Sequence, residues 1–379
     1  MSTAPNTKPV EKYAKLISDL HKKITKITDL DYAVLYTALD QQANKGKPVR
    51  SASSGIFDLY VKKKLAHTDY MSSIIGLHTE QKNKYTLIPP DSLNHTFHSV
   101  VPTTDGYVEE NFSLKDLWWQ GTLGSNAIFR VGQISAHTVV NDYAFDDTRF
   151  NFVGYGFTDN PTNLSPANAL GAVAGINLYK NVYVATSILD GRNVNGYIAP
   201  GDVYYKTIEL GYHRNLREKY RSDYRIMYWD LDRVPLKQRY ESMSPVELAN
   251  EKEAFPERFR KNTYGAILQL QYNSRENYIP FFRAGWNNHE GTLLKRFVTT
   301  GVGVLGLFGQ EENVLGVGGV YAKPTDPTKG DEYTIEGYYL LQVTSLLQVT
   351  PDIQFIQFKH ENEARQWATV FSIRASLLE

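Results

Sequence analysis

The feature that most restricts this chain is a two-residue alternation of apolar and polar side chains. It recurs in segments of about 9–12 residues, broken by Gly, Asn, Asp and Pro. In 264–273, Tyr264, Ala266, Leu268, Leu270 and Tyr272 alternate with Gly265, Ile267, Gln269, Gln271 and Asn273. In 281–287, Phe282, Ala284 and Trp286 alternate with Arg283 and Gly285. The same rhythm runs through 333–344, 347–355 and 366–377. Strands of a soluble sandwich average about five or six residues, whereas tilted strands that cross a bilayer need about 9–11. No run approaches 18 apolar residues, so no transmembrane helix is expected. Strands can cross a bilayer only in a closed sheet, since lipid cannot satisfy an open edge. Aromatics sit near segment ends (Tyr264, Tyr272, Trp367), where a barrel meets the headgroups. Tyr, amphipathic and suited to that interface, makes up 26 of 379 residues. The expectation is an all-β fold: a transmembrane antiparallel β-barrel of about 16 strands, preceded by a short N-terminal helix.

That helix is expected within residues 10–28. Tyr13, Leu16, Ile17, Leu20, Ile24 and Ile27 recur at spacings of three and four, with Lys on the other face. Residues 1–28 thus read as an extension packed on the body or acting as a plug, and 29–379 as the barrel. Long loops are expected near 80–105 (Pro89-Pro90, Pro102, Asp105-Gly106), 136–168 and 232–262. In the last, Ser244-Pro245 has the form of a helix start. Short connections at Tyr179-Lys180-Asn181 and Ser345-Leu346 complete the pattern of long loops on one side and tight turns on the other. Met1-Ser2-Thr3-Ala4-Pro5 leads into polar sequence without a signal peptide, which an exported protein needs. The chain therefore reads as a mature form with a start Met added, and Leu378-Glu379 as part of a tag remnant.

Composition removes several classes of function. The 41 basic and 41 acidic residues balance, which argues against nucleic acid as a partner. There is no cysteine, hence no disulfide, thiolate metal site or Cys nucleophile. No nucleophile elbow, zinc-protease helix or P-loop motif occurs. Gly301-Val302-Gly303 and Gly316-Val317-Gly318-Gly319 read as inward strand glycines that make room, because no helix follows them. His78, His95, His98, His137 and His213 lack zinc-ligand spacing. Asp146-Asp147 reads as a solvated loop. No enzyme activity, cofactor or metal is expected.

Charges within the alternating segments carry the functional reading. Arg130, Glu209, Arg225, Arg283, Glu336, Asp352 and Arg374 each fall on the polar face of a segment. An Arg on the lipid face at mid-membrane costs about 2–4 kcal/mol, so these side chains should face a water-filled lumen. Arg149 joins them from the 136–168 loop, and Trp229 offers a ring for stacking on sugars. Both signs are mixed, which suits neutral polyhydroxylated solutes better than one class of ion. The alternative is that the charges pair with one another and fill the interior.

The C-terminal third resembles the OprB-type carbohydrate-selective porins. Phe282-Arg283-Ala284-Gly285-Trp286, Asn313-Val314-Leu315-Gly316-Val317-Gly318, Glu336-Gly337-Tyr338-Tyr339 and Leu347-Gln348-Val349-Thr350-Pro351-Asp352-Ile353-Gln354 carry the resemblance. It extends more loosely through Phe129-Arg130-Val131-Gly132 to residue 110. It implies a sixteen-stranded barrel in the Gram-negative outer membrane, narrowed by an inward loop and passing sugars such as glucose. It also implies a lining role at the narrowing for Arg130, Arg283, Glu336 and Asp352. Arg149, Glu209 and Arg225 rest on alternation or loop position. The ending Leu377-Leu378-Glu379 departs from the aromatic terminus usual in such barrels, and 150–200 has drifted from the family pattern. The expected function is therefore passive diffusion of small, monosaccharide-like carbohydrates, with small organic or aromatic acids as the alternative cargo. Outer-membrane lipid is the expected surrounding, and assembly as a monomer or a trimer stays open.

Overall fold

The structure, a computed structural model, describes residues 25–28, 30–68, 70–124, 126–136, 142–191, 203–214, 221–232, 262–274, 277–288, 292–310, 312–359 and 364–378. Residues 25–28 form one helical turn. The rest of the N-terminal amphipathic segment, the helix start at Ser244, most of the 232–262 loop and Glu379 lie outside the described residues.

Sixteen strands follow in order: β1 (Leu30–Ala43), β2 (Ser51–His67), β3 (Met71–Lys84), β4 (Glu110–Leu123), β5 (Ala127–Ile134), β6 (Ala169–Tyr179), β7 (Val182–Asp190), β8 (Tyr204–Arg214), β9 (Ser222–Leu231), β10 (Thr263–Gln271), β11 (Tyr278–Asn287), β12 (Leu294–Leu305), β13 (Val314–Pro324), β14 (Glu332–Gln342), β15 (Leu347–Phe358) and β16 (Gln366–Leu378). Each pairs antiparallel with its sequence neighbours, and β1 closes on β16 through pairs such as Tyr36 with Leu377. Closure leaves no unpaired edge, as a membrane-spanning sheet requires.

The alternation sorts the two faces. Ile208, Leu210, Ile226, Leu268, Val317, Ile335, Phe355 and Ile373 are exposed on the outer surface. Two aromatic belts bound this apolar band. Tyr228, Tyr264, Trp286 and Tyr333 ring the end with long loops, while Tyr212, Tyr272 and Tyr278 ring the end with short turns. Connections at the first end include 85–109, 135–168 and 232–262; those at the second include 124–126, 180–181 and 343–346. The loop expected near 80–105 starts later, because residues 80–84 continue β3 opposite β2. That polar stretch stays a strand because Glu80 and Lys82 are paired inside the barrel, with each other and with Arg149, Lys115 and Glu110 from elsewhere in the chain.

Two long connections fold inward. The 135–168 segment lays Tyr143, Phe145, Phe152 and Phe157 against an apolar inner wall that includes Ile279, Phe281, Phe297, Val320, Tyr338 and Leu340. Burying each such ring is worth about 1.5–3 kcal/mol, so the four supply ~6–12 kcal/mol toward docking. Inward glycines admit the rings: a Cβ added at Gly303 would lie 2.2 Å from Phe145, and one at Gly318 would lie 2.6 Å from Phe157. The 85–109 segment packs Leu93 and Phe97 against Ile356, Phe358, Ala368 and Val370. Glu332 fastens it, accepting hydrogen bonds from the Val100 and Val101 amides at 2.6 and 3.1 Å and from Ser99 Oγ at 2.9 Å.

Candidate functional site

The inward loop is clasped by strand residues that the alternation aims at the axis. Arg283 on β11 donates through Nη1 to the carbonyls of Phe157 (2.8 Å) and Asp159 (3.2 Å), and its guanidinium lies 4.3 Å from the Tyr143 ring centre. Glu336 on β14 accepts from the amides of Val153 (2.6 Å) and Gly154 (3.0 Å). A Cβ at 154 would stand 2.3 Å from Glu336 Oε2, so a side chain there would push the carboxyl off the two amides. These two amides lead into the short helix Tyr155–Thr158. Arg374 on β16 donates to the carbonyls of Thr148 and Asn151. Asp352 beside it accepts from Ser372 Oγ at 3.0 Å.

On the opposite wall a charged hub receives the loop. Arg149 donates to both oxygens of Asp58 at 2.7 and 2.8 Å and to Glu80 at 2.6 Å. Burial opposes its charge, yet Asp58, Asp147 and Glu80 hold its pKa well above the ordinary arginine value. Lys82 and Lys115 reach the other Glu80 oxygen at 2.9 and 3.1 Å, and Lys115 also reaches Glu110 at 3.0 Å. His78 stacks on Tyr60 with 4.0 Å between ring centres and meets Asp58 at 2.8 Å. Asp58, His78 and Glu80 bring one potential metal-ligand atom each to within 4.8 Å of the others. The Arg149 fork already occupies both carboxylates, so their charge is met without an ion.

Open space remains between the loop and the wall from β2 to β9. A cavity of about 530 Å³ is bordered by Tyr60, His78, Glu80, Lys82 and Lys115 on the wall, and by Asp142, Asp146, Asp147, Arg149 and Tyr155 on the loop. A second, of about 410 Å³, is bordered by Gln120, Arg130, Tyr183, Glu209, His213, Asp223 and Arg225. Asp142 borders both. Arg130 donates to Gln120 Oε1 at 2.8 Å and lies 4.1 Å from the Trp118 ring centre. Glu209 accepts from the Tyr183 hydroxyl at 2.7 Å, and Arg225 bridges toward Glu209 and Asp223.

The sequence-predicted residues thus fall into two groups. Arg130, Arg149, Glu209 and Arg225 border the aqueous space. Arg283, Glu336 and Asp352 point inward as expected but are covered: Arg283 and Glu336 are fully buried, Asp352 nearly so. Asp352 is spent on Ser372 of β16; the loop lies on Arg283 and Glu336 and takes their hydrogen-bonding capacity, so these two hold the narrowing without lining it. Arg374 does the same. Trp229 corrects the stacking expectation. It is 0% exposed, packed in an apolar cluster with Tyr205, Ile134 and Met227, and offers no face to a solute. Sequence reasoning missed the wall hub. Asp58 stands between Phe57 and Leu59, and that apolar–charged–apolar triplet was signal enough to add it.

The family described as carbohydrate-selective porin, OprB family, matches residues 90–376. Among solved structures, the fold is similar to Pseudomonas putida OprB at high pH, with TM-score 0.74 and 13% identity over 95% of this chain and 97% of that one. It is also similar to Salmonella typhi OmpF in complex with daunomycin, with TM-score 0.55 and 8% identity over 92% of this chain and 97% of that one. No curated protein matches the chain by sequence.

Proposed function

Because the chain belongs to the carbohydrate-selective porin family, and is therefore an outer-membrane carbohydrate channel and not an enzyme, we propose that its cargo is small, monosaccharide-like solutes that diffuse passively between the 135–168 loop and the β2–β9 wall. The observation that carries this reading is the paired lining of the remaining space. Arg149 with Asp58 and Glu80, Arg225 with Glu209 and Asp223, and Arg130 with Gln120 present donors and acceptors whose charges are largely met. Such a surface exchanges hydrogen bonds with hydroxyls at little desolvation cost and does not trap the solute. We assign the lining role to Arg130, Arg149, Glu209 and Arg225, and the loop-holding role to Arg283 and Glu336, with Asp352 bonded to Ser372 behind them.

The alternative cargo, small organic or aromatic acids, would call for an excess of cations at the narrowing. The cations at the 530 Å³ cavity, Arg149, Lys82 and Lys115, are held by Asp58, Glu80 and Glu110, which speaks against it. The deciding experiment is purified channel in planar bilayers and in liposomes. Monosaccharides should swell liposomes quickly, larger oligosaccharides slowly, and organic anions should not block conductance. Block by organic anions with indifference to sugars would transfer the assignment to acids.

A further inference from the structure

The outer surface carries a feature that transport does not use. A groove of about 380 Å³ lies on the lipid face of β9–β13. The strand register explains it. Ile226, Leu268, Ala284, Val298 and Tyr321 stand side by side in one row across these strands. The next row toward the long loops runs Ala266, Trp286, Arg296 and Lys323. Ala266 and Ala284 are short where their neighbours are long, so the surface is hollow there. Tyr264 stands edge-on to Trp286 at the head of the groove, with 6.1 Å between ring centres. Tyr321 walls the far side and donates its hydroxyl to Asp331 at 3.0 Å. Arg296 and Lys323 are both exposed, and both aim outward, because their neighbours Phe297 and Ala322 are buried inside the barrel. Two adjacent cations repel each other, and a lipid-facing surface carries them cheaply only at headgroup depth, where they meet anions.

Orientation selects the anion. The long loops of an outer-membrane barrel face the cell exterior, so the head of the groove lies in the outer leaflet. In Gram-negative bacteria that leaflet is built of phosphorylated glycolipid, whose anchor, lipid A, carries phosphates on a disaccharide directly above its acyl chains. We propose that the groove binds lipid A, with an acyl chain along Ala266 and Ala284 and a phosphate on Arg296 and Lys323. A guanidinium fork matches phosphate oxygens, and the Tyr264–Trp286 pair stands at the interface level of the sugars. The site is on the outer wall and does not depend on what passes through the pore.

The test is native mass spectrometry of the full-length channel, washed free of native lipid in detergent and titrated with one lipid at a time. The probes are bisphosphorylated lipid A, lipid A stripped of its phosphates, and phosphatidylglycerol. A basic side chain at an anionic membrane surface is worth about fivefold in binding, so the pair is worth ~25-fold. Wild-type channel should bind lipid A by roughly that factor more tightly than the stripped form, and more tightly than phosphatidylglycerol. Arg296→Gln with Lys323→Gln should remove the difference between the two forms of lipid A. Ala284→Leu stays apolar but fills the groove, and should weaken both forms. Ala375→Leu, beside Ala38 on the outer face of β16, should weaken neither. Equal binding of phosphorylated and stripped lipid A by the wild type overturns the phosphate contact. Equal binding of phosphatidylglycerol overturns the choice of glycolipid. Full affinity for lipid A in the Ala284 variant, or in the double cation variant, overturns the site. Should a variant fail to fold, the comparison of the three lipids on the wild type still decides.

Discussion

Replacing Glu336 with Ala separates two contributions to the narrowing. The carboxylate accepts from two buried amides, Val153 and Gly154. Leaving a buried amide without its acceptor costs about 1–3 kcal/mol, so the loss is ~2–6 kcal/mol at this point. The aromatic side of the same loop supplies ~6–12 kcal/mol, and Arg283, Arg374 and Arg149 hold it independently. The apolar face therefore wins: the loop should stay docked and open only around 153–158. Hydrogen exchange in detergent or nanodiscs should show the Val153 and Gly154 amides exchanging about 10–10⁴ times faster, at one decade per ~1.4 kcal/mol. Single-channel conductance should change little. Phe152→Ala with Phe157→Ala, at about 3–5 kcal/mol each, should release the loop and raise conductance. Unchanged exchange in the Glu336 variant would show that the carboxylate is no clasp. A rise in conductance equal to that of the double Phe variant would show that polar contacts, not ring burial, dominate docking.

Gly303→Leu should expel the loop by a different route, since its Cβ would stand 2.2 Å from the Phe145 ring; conductance should rise while heat-modifiable gel migration still reports a closed barrel. Burial, aided by Asp105 and opposed by Lys82, pushes the Asp91 carboxyl from 3.8 up to about 7. Its docked form therefore holds a proton that the undocked form loses above 3.8, so docking of 85–109 weakens as pH rises toward 7 and levels off beyond. Protease protection of that segment should fall over this window, and Asp91→Asn should flatten the fall. Ile335→Arg, on the lipid face, should cost about 2–4 kcal/mol in urea titrations in lipid. Ile128→Arg, on the border of the 410 Å³ cavity, should cost far less, and equal costs would refute the assignment of faces.

Much of the barrel was legible because a strand's two faces meet different solvents. Tyr264, Ala266, Leu268 and Leu270 had to point one way once lipid lay on that side, and the structure keeps that register. Strand length separated a membrane sheet from a sandwich for the same reason. Polar strand ends were harder: residues 80–84 read as loop because the charged partners that sustain them come from elsewhere in the chain. The inner wall was the larger omission. Tyr278-Ile279-Pro280-Phe281-Phe282 is apolar on both faces, and a strand apolar on both faces is covered on both. Phe145, Phe152 and Phe157, stranded in a polar loop, were the complementary sign that the loop does the covering.

The same omission explains why the site was legible only in part. Alternation tells which way a side chain points, and every inward charge named from sequence does point inward. It does not tell what stands in front of it. Arg130, Glu209 and Arg225 belong to strands β5, β8 and β9, where the loop leaves the 410 Å³ cavity open beside them. Arg283, Glu336 and Asp352 belong to β11, β14 and β15, whose inner faces it occupies. The division follows the apolar residues of the loop, since rings must be buried before charges can be placed. Once Phe152 and Phe157 settle on the β11–β14 wall, Arg283 and Glu336 can only serve the loop's backbone. The loop's carboxylates, on its other side, are then left facing the channel. Clasp and aperture are two faces of one segment, so a change at Phe157 is expected to move the side chains that border the open space as well as to widen it.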